Sequence, residues 1–95
     1  MTREELNILF NEFVLRNAPR SSSFLSIKAS SKLCDLKNKM DKIPYAGAEQ
    51  VAKMILEERD AICAVVVSIK HPDYLKERDA ANKLIEICDG LQPKS

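Results

Sequence analysis

The segment Ile43-Pro44-Tyr45-Ala46-Gly47 is the strongest interruption in this 95-residue sequence, and it constrains everything around it. Proline in a helix interior removes a hydrogen bond and clashes with the preceding turn, at roughly 3 kcal/mol or more. Glycine adds backbone freedom just after it. On both sides of this break, apolar residues recur at three- and four-residue steps and never alternate at period two. Two glycines and five aromatic side chains (three Phe, two Tyr) are too few turn and sheet markers for an all-β chain. The sequence therefore reads as all-α: an amphipathic N-terminal helix or helices followed by a long antiparallel helical hairpin, in a single domain over residues 1–95.

The first helix is expected over residues 3–16. Thr2 and Glu5 have the spacing of a capping box. Leu6, Leu9, Phe10, Phe13 and Val14 form one stripe, and Asn17-Ala18-Pro19 closes the segment. A loop at Arg20-Ser21-Ser22-Ser23 leads into residues 23–41. There Leu33, Leu36, Met40 and Ile43 keep helical spacing, while Ser26, Ser30 and Ser31 weaken the middle, so a kink or break near Ser30-Ser31 is expected. The N-terminal helices together span residues 3–41.

The hairpin is expected over residues 48–90. Its first arm reads as one long helix over residues 48–69, with Val51, Met54, Ile55, Ile62, Val65, Val66 and Ile69 inward and Glu57 and Glu58 outward. The β-branched run around Val65-Val66-Val67 also permits a buried strand over 61–67, but no other segment offers it a partner. His71-Pro72-Asp73 opens the second arm, which carries Leu75, Ala80, Ala81, Leu84, Ile85, Cys88 and Leu91. Gly90 ends it as a C′ glycine, leaving residues 91–95 as a tail. Ala61, Cys63, Val67 and Ile87 fall off the main stripes. This excess predicts a homo-oligomer; a monomeric four-helix bundle that uses every face internally is the competing reading.

Chemistry-bearing patterns are sparse. Cys34, Cys63 and Cys88 are unpaired in spacing, and His71 is the only histidine, so neither a zinc site nor a disulfide framework is expected. Free thiols, two acids where a signal peptide has its basic region, and no apolar run longer than Ala61 to Val67 suggest a cytoplasmic protein without a membrane span. No nucleophile–base motif, H-E-x-x-H, G-x-G-x-x-G or Walker pattern occurs, and the acidic run Glu57, Glu58, Asp60 reads as a solvated face. The chain is expected not to be an enzyme and to need no cofactor. A net charge of +1 excludes a generally polycationic nucleic-acid binder. Proline in the turns, and the lack of a run of base-reading Arg, Asn and Gln, argue against helix-turn-helix DNA binding.

The charge is unevenly placed. Residues 1–15 hold one basic and three acidic groups, residues 16–42 seven basic and two acidic, and residues 43–95 seven and nine. A +5 segment beside Tyr45 suits a phosphate- and base-bearing ligand, with an ordinary solvated helix face as the alternative.

The order Asp35-Leu36-x-Asn38-Lys39-Met40, Pro44, Gly47, Ile55, Ala61, Pro72-Asp73 and Ala80-x-x-Lys83-Leu84-x-Glu86 resembles the helical-hairpin domain of phage anti-defence sponge proteins. These sequester the cyclic nucleotide signals of the CBASS and Thoeris systems. The resemblance covers about residues 35–88. Met40 and Lys42 stand where that family often has an aromatic pair, its Trp-Ala-Asn-Ala stretch is absent, and residues 1–34 have no counterpart. The resemblance implies a homo-oligomer that binds cyclic nucleotides between protomers in a host cytoplasm, without catalysis. Asn38, Lys39, Lys42, Tyr45 and Lys53 are the candidate ligand-binding residues, with Tyr45 stacking and the lysines meeting phosphates. The alternative function is a helical protein-binding module (a small inhibitor, secretion chaperone or complex subunit) docking through exposed apolar helix faces.

Overall fold

A computed structural model describes residues 2–17, 24–69 and 73–92 as five α-helices, with no strand among the described residues. They are α1 (Arg3–Asn17), α2 (Phe24–Asp41), α3 (Ala48–Glu57), α4 (Arg59–Val67) and α5 (Asp73–Gly90). The fold is all-α, as the spacing implies. The loop at residues 20–23, His71 and Pro72, and residues 93–95 lie outside the described residues.

At the start of α1 the Glu5 amide donates to Thr2 Oγ1 at 3.2 Å, and the Thr2 hydroxyl donates back to Glu5 Oε1 at 3.2 Å. The side-chain pair thus satisfies one of the amides orphaned at a helix start. Leu6, Phe10, Phe13 and Val14 are buried and Leu9 half-buried, so the predicted stripe is the core face.

Two expectations about continuity are corrected. The segment expected to kink or break near Ser30-Ser31 runs as one helix. Ser26 and Ser30 are buried, on the same broad face of α2 as Ala29 and Leu33. Burial of that face against neighbouring helices offsets the weak helix propensity of serine. The arm expected as one helix over 48–69 is instead divided at Glu58, which has φ −106° and ψ 22°. Its amide donates to Ile55 O at 3.0 Å, and its carbonyl accepts from the Ala61 and Ile62 amides at 3.0 and 3.2 Å. Four charged residues, Glu57 to Asp60, offer nothing to bury, so no packing holds the helix straight there. The turn also brings Ala61 into the core, although it lies off the stripe of α3. Residues 61–67 are helix, not strand.

The tertiary arrangement follows from three sets of contacts. Arg3 at the start of α1 reaches the end of α2, so these helices run antiparallel. Arg16 and Asn17 reach Glu77, so α1 also runs antiparallel to α5. Gln92 Nε2 donates to Glu49 O at 3.2 Å, which sets the end of α5 beside the start of α3. Helix α5 packs along both α3 and α4, so the hairpin is present with a bent outgoing arm. The core is filled by Phe10, Phe13, Leu33, Met40, Ile55, Ile62, Val65 and Leu84 among others. Gly90 is the last residue of α5 and not a residue beyond it, and Leu91 and Gln92, placed in the tail by spacing, are half-buried. Leu75, expected inward, is exposed, because Glu77 takes the buried position at the start of α5. Of the off-stripe residues, Ala61 and Ile87 are covered within the chain, while Cys63 and Val67 are exposed.

Candidate functional site

The α2–α3 corner gathers most of the candidate residues, and Arg3 organises it. Helix α2 ends in carbonyls that have no intrahelical donor, at the negative end of its dipole. The Arg3 guanidinium donates to Met40 O at 2.7 Å, to Ala46 O at 2.6 Å and to Ile43 O. These are charge-assisted bonds from a rigid fork to three carbonyls of one turn. The Ile43 amide also donates to Met40 O at 3.2 Å and the Ala46 amide to Ile43 O at 3.0 Å. Ala46 is buried under the turn, while Tyr45 stands 83% exposed at its tip. The corner therefore presents an aromatic ring to solvent on an immobilised backbone.

The candidate residues divide. Asn38 and Lys39 are exposed on the last turn of α2 and Lys42 just beyond its end, shortly before Tyr45 in sequence. Lys39 lines a cleft of about 270 Å³ with Lys32, Asp35, Leu36, Met54, Glu57 and Glu58. Two lysines share that cleft with Asp35 of the same segment and with Glu57 and Glu58 of the α3–α4 junction, so this part of the basic segment borders acidic groups. Lys53 faces elsewhere, into an open cleft of about 420 Å³ with Gly47, Glu49, Gln50 and Gln92. Asn38, Lys42 and Tyr45 line neither cleft. The structure thus brings four of the five residues to one corner and sets Lys53 apart.

A second polar centre went unread in the sequence. Glu77 is 1% exposed. Arg16 Nε donates to Glu77 Oε1 at 3.0 Å and Arg16 Nη2 to Oε2 at 3.3 Å, a two-point pairing. Asn17 Nδ2 donates to Glu77 Oε2 and to Phe13 O, each at 2.8 Å. A signal existed: Glu77 lies four residues before Ala81 and seven before Leu84, on the apolar face of α5. An acid at such a position calls for a buried partner.

The thiols differ in environment. Cys63 is exposed, Cys34 half-buried and Cys88 buried. Burial, with the Asp89 charge adding to it, pushes the Cys88 thiol up to about 11, which leaves it protonated and a poor nucleophile at neutral pH. Among the described residues no group of three or more His, Cys, Asp and Glu stands where it could hold a metal ion, and no helix is long and apolar enough to cross a membrane. No protein-family model, curated relative or solved structure matches the chain.

Proposed function

We propose that this chain is a non-catalytic helical binding protein that docks a protein partner at the α2–α3 corner, with Tyr45 as the anchor. The observation that carries this reading is the exposure of Tyr45 on a turn held by three Arg3 hydrogen bonds. A tyrosine offers a large amphipathic surface with little conformational entropy to lose, and such side chains dominate binding hot spots. A rigid backbone beneath it lowers the ordering cost of association further. The mixed charge around Lys39 favours a partner surface of both signs over a polyanion. The test is capture from the native host with the full chain and with Tyr45→Ala. One dominant protein retained by the first and lost by the second supports the reading; equal capture by both sinks it.

A cyclic nucleotide sponge is the second reading. It is favoured by Lys39 and Lys42, exposed shortly before Tyr45 in the chain, with an exposed ring free to stack on a base. It expects a thermal shift with cyclic di- or trinucleotides that disappears in Lys39→Ala/Lys42→Ala. The absence of any shift across a nucleotide panel rejects it.

A further inference from the structure

Two clefts meet at Lys32 and join into one groove between α2 and the α3–α4 arm. The first is the cleft of about 270 Å³ that Lys39 also lines. The second, of about 250 Å³, continues it toward the start of α2. Lys28, Lys32, Asp35 and Lys39 recur at steps of four, three and four, so they form one edge of α2, and all four are exposed. The facing wall comes from the α3–α4 arm and carries Glu57, Glu58 and Asp60. Between the walls lie Ala29, Leu36 and Ala61, which are buried, and Met54 and Ala64, which are half-buried.

The walls differ in sign. The α2 wall holds three lysines against one carboxylate, while the opposite wall holds three carboxylates and no base. Arg59 is exposed but lines neither cleft. The ion pairs among the described residues are Arg16–Glu77 and Arg78–Asp79, so the two walls are not paired with each other. Exposed pairs across such a groove contribute only about 0–1 kcal/mol, so an occupant that separates the walls displaces little.

Length, polarity and floor together select the occupant. Lys28 and Lys39 stand three turns apart, about 16 Å at 1.5 Å per residue, which exceeds the span of a small zwitterion. The acidic wall repels a polyanion and the basic wall a polycation. An extended chain would lay its amides and carbonyls on Ala, Leu and Met side chains that offer them no hydrogen bond. An α-helix satisfies its own backbone and sets an apolar stripe between two charged margins.

We propose that this groove binds an amphipathic helix of a partner protein, with acidic residues on one margin facing Lys28, Lys32 and Lys39, basic residues on the other facing Glu57, Glu58 and Asp60, and an apolar stripe on the floor. The proposal gives a chemistry to the partner within the protein-binding reading. Tyr45 lines neither cleft, so failure at the groove leaves the corner anchor standing, and the reverse holds as well.

Fluorescence anisotropy of the full chain with three labelled synthetic helices tests it. The peptides share an apolar stripe of Leu and Ala and a length of about 18 residues, or five turns. One carries Glu on one margin and Lys on the other, the second Glu on both, and the third Lys on both. The mixed peptide is expected to bind about tenfold or more tighter than either of the others. In Lys28→Glu/Lys32→Glu, both exposed positions, the preference is expected to pass to the all-Lys peptide by about tenfold. Circular dichroism checks that the variant keeps its helix. No binding of the mixed peptide, equal affinity for all three, or an unchanged preference in the variant each overturns the proposal. Sedimentation that shows a wild-type assembly lost in Lys28→Glu/Lys32→Glu assigns the groove to a second copy and overturns it too.

Discussion

Helix α1 carries an arginine near each end, and the two do different work. Arg16 meets a buried carboxylate and ties α1 to α5. Arg3 meets three backbone carbonyls and ties α1 to the α2–α3 corner. At one end a charge answers a charge that desolvation made expensive. At the other, a charge answers dipoles that water could also satisfy. The first contact is a condition for burying Glu77 at all; the second fixes the shape of a surface turn. The lesson is that an arginine's contribution depends on what its loss leaves behind in the partner.

The largest expected effect is therefore at the first end. Arg16→Ala leaves the buried Glu77 carboxylate without its guanidinium and is expected to cost about 2–3 kcal/mol, read from urea unfolding. A loss below about 1 kcal/mol would mean that the ion pair is incidental to the fold. Arg3→Ala is expected to cost less, about 1–2 kcal/mol, because the released carbonyls are neutral and only partly buried. Its signature is faster hydrogen exchange at the Ala46 amide with the α5 amides unchanged; unaltered exchange there would break the contrast between the two ends. The double variant Arg3→Ala/Arg16→Ala is expected to be additive within about 0.5 kcal/mol, since thirteen residues of helix separate the two sites by about 20 Å. Strong coupling would show that α1 responds as one lever.

The buried Cys88 gives a pH test of the hairpin. Its thiol ionises near 11 in the folded chain and near 9 when unfolded. The stability that follows is fully present below about pH 9 and is lost as pH rises toward 11, because only the unfolded state then releases the proton. Cys88→Ala is expected to lessen that alkaline decline; an identical decline in the variant would assign it to other groups. The smallest stability effect is expected at Tyr45→Ala, within about 0.5 kcal/mol, since the ring is outside the core. A larger change in urea midpoint would mean that the ring supports the turn it stands on.

The helices were legible where apolar periodicity was strong. Phe10 and Phe13, Leu33 and Met40, and Ile62 and Val65 were placed inward by spacing, and all are buried. The candidate site was legible only in part. Tyr45 beside Pro44 marked the corner, but nothing local to residue 3 announces that Arg3 closes it, since its acceptors lie 37 to 43 residues away. The division at Glu58 and the continuity of α2 through Ser30 were also beyond local propensity. Each depends on which faces the neighbouring helices bury: Ser26 and Ser30 are covered, while Glu57 to Asp60 have nothing to pack on.

By itself, then, the sequence determined an all-α chain, its turn at Pro44 and most of its core, because side-chain periodicity and proline stereochemistry are local properties. Only the tertiary structure decided that Arg16 belongs to Glu77, that Arg3 holds the Tyr45 turn, and that Lys32 and Lys39 share a cleft with Glu57 and Glu58. Those pairings are set by which helices lie side by side, and electrostatic and hydrogen-bond energies act over a few ångströms of space regardless of the distance along the chain.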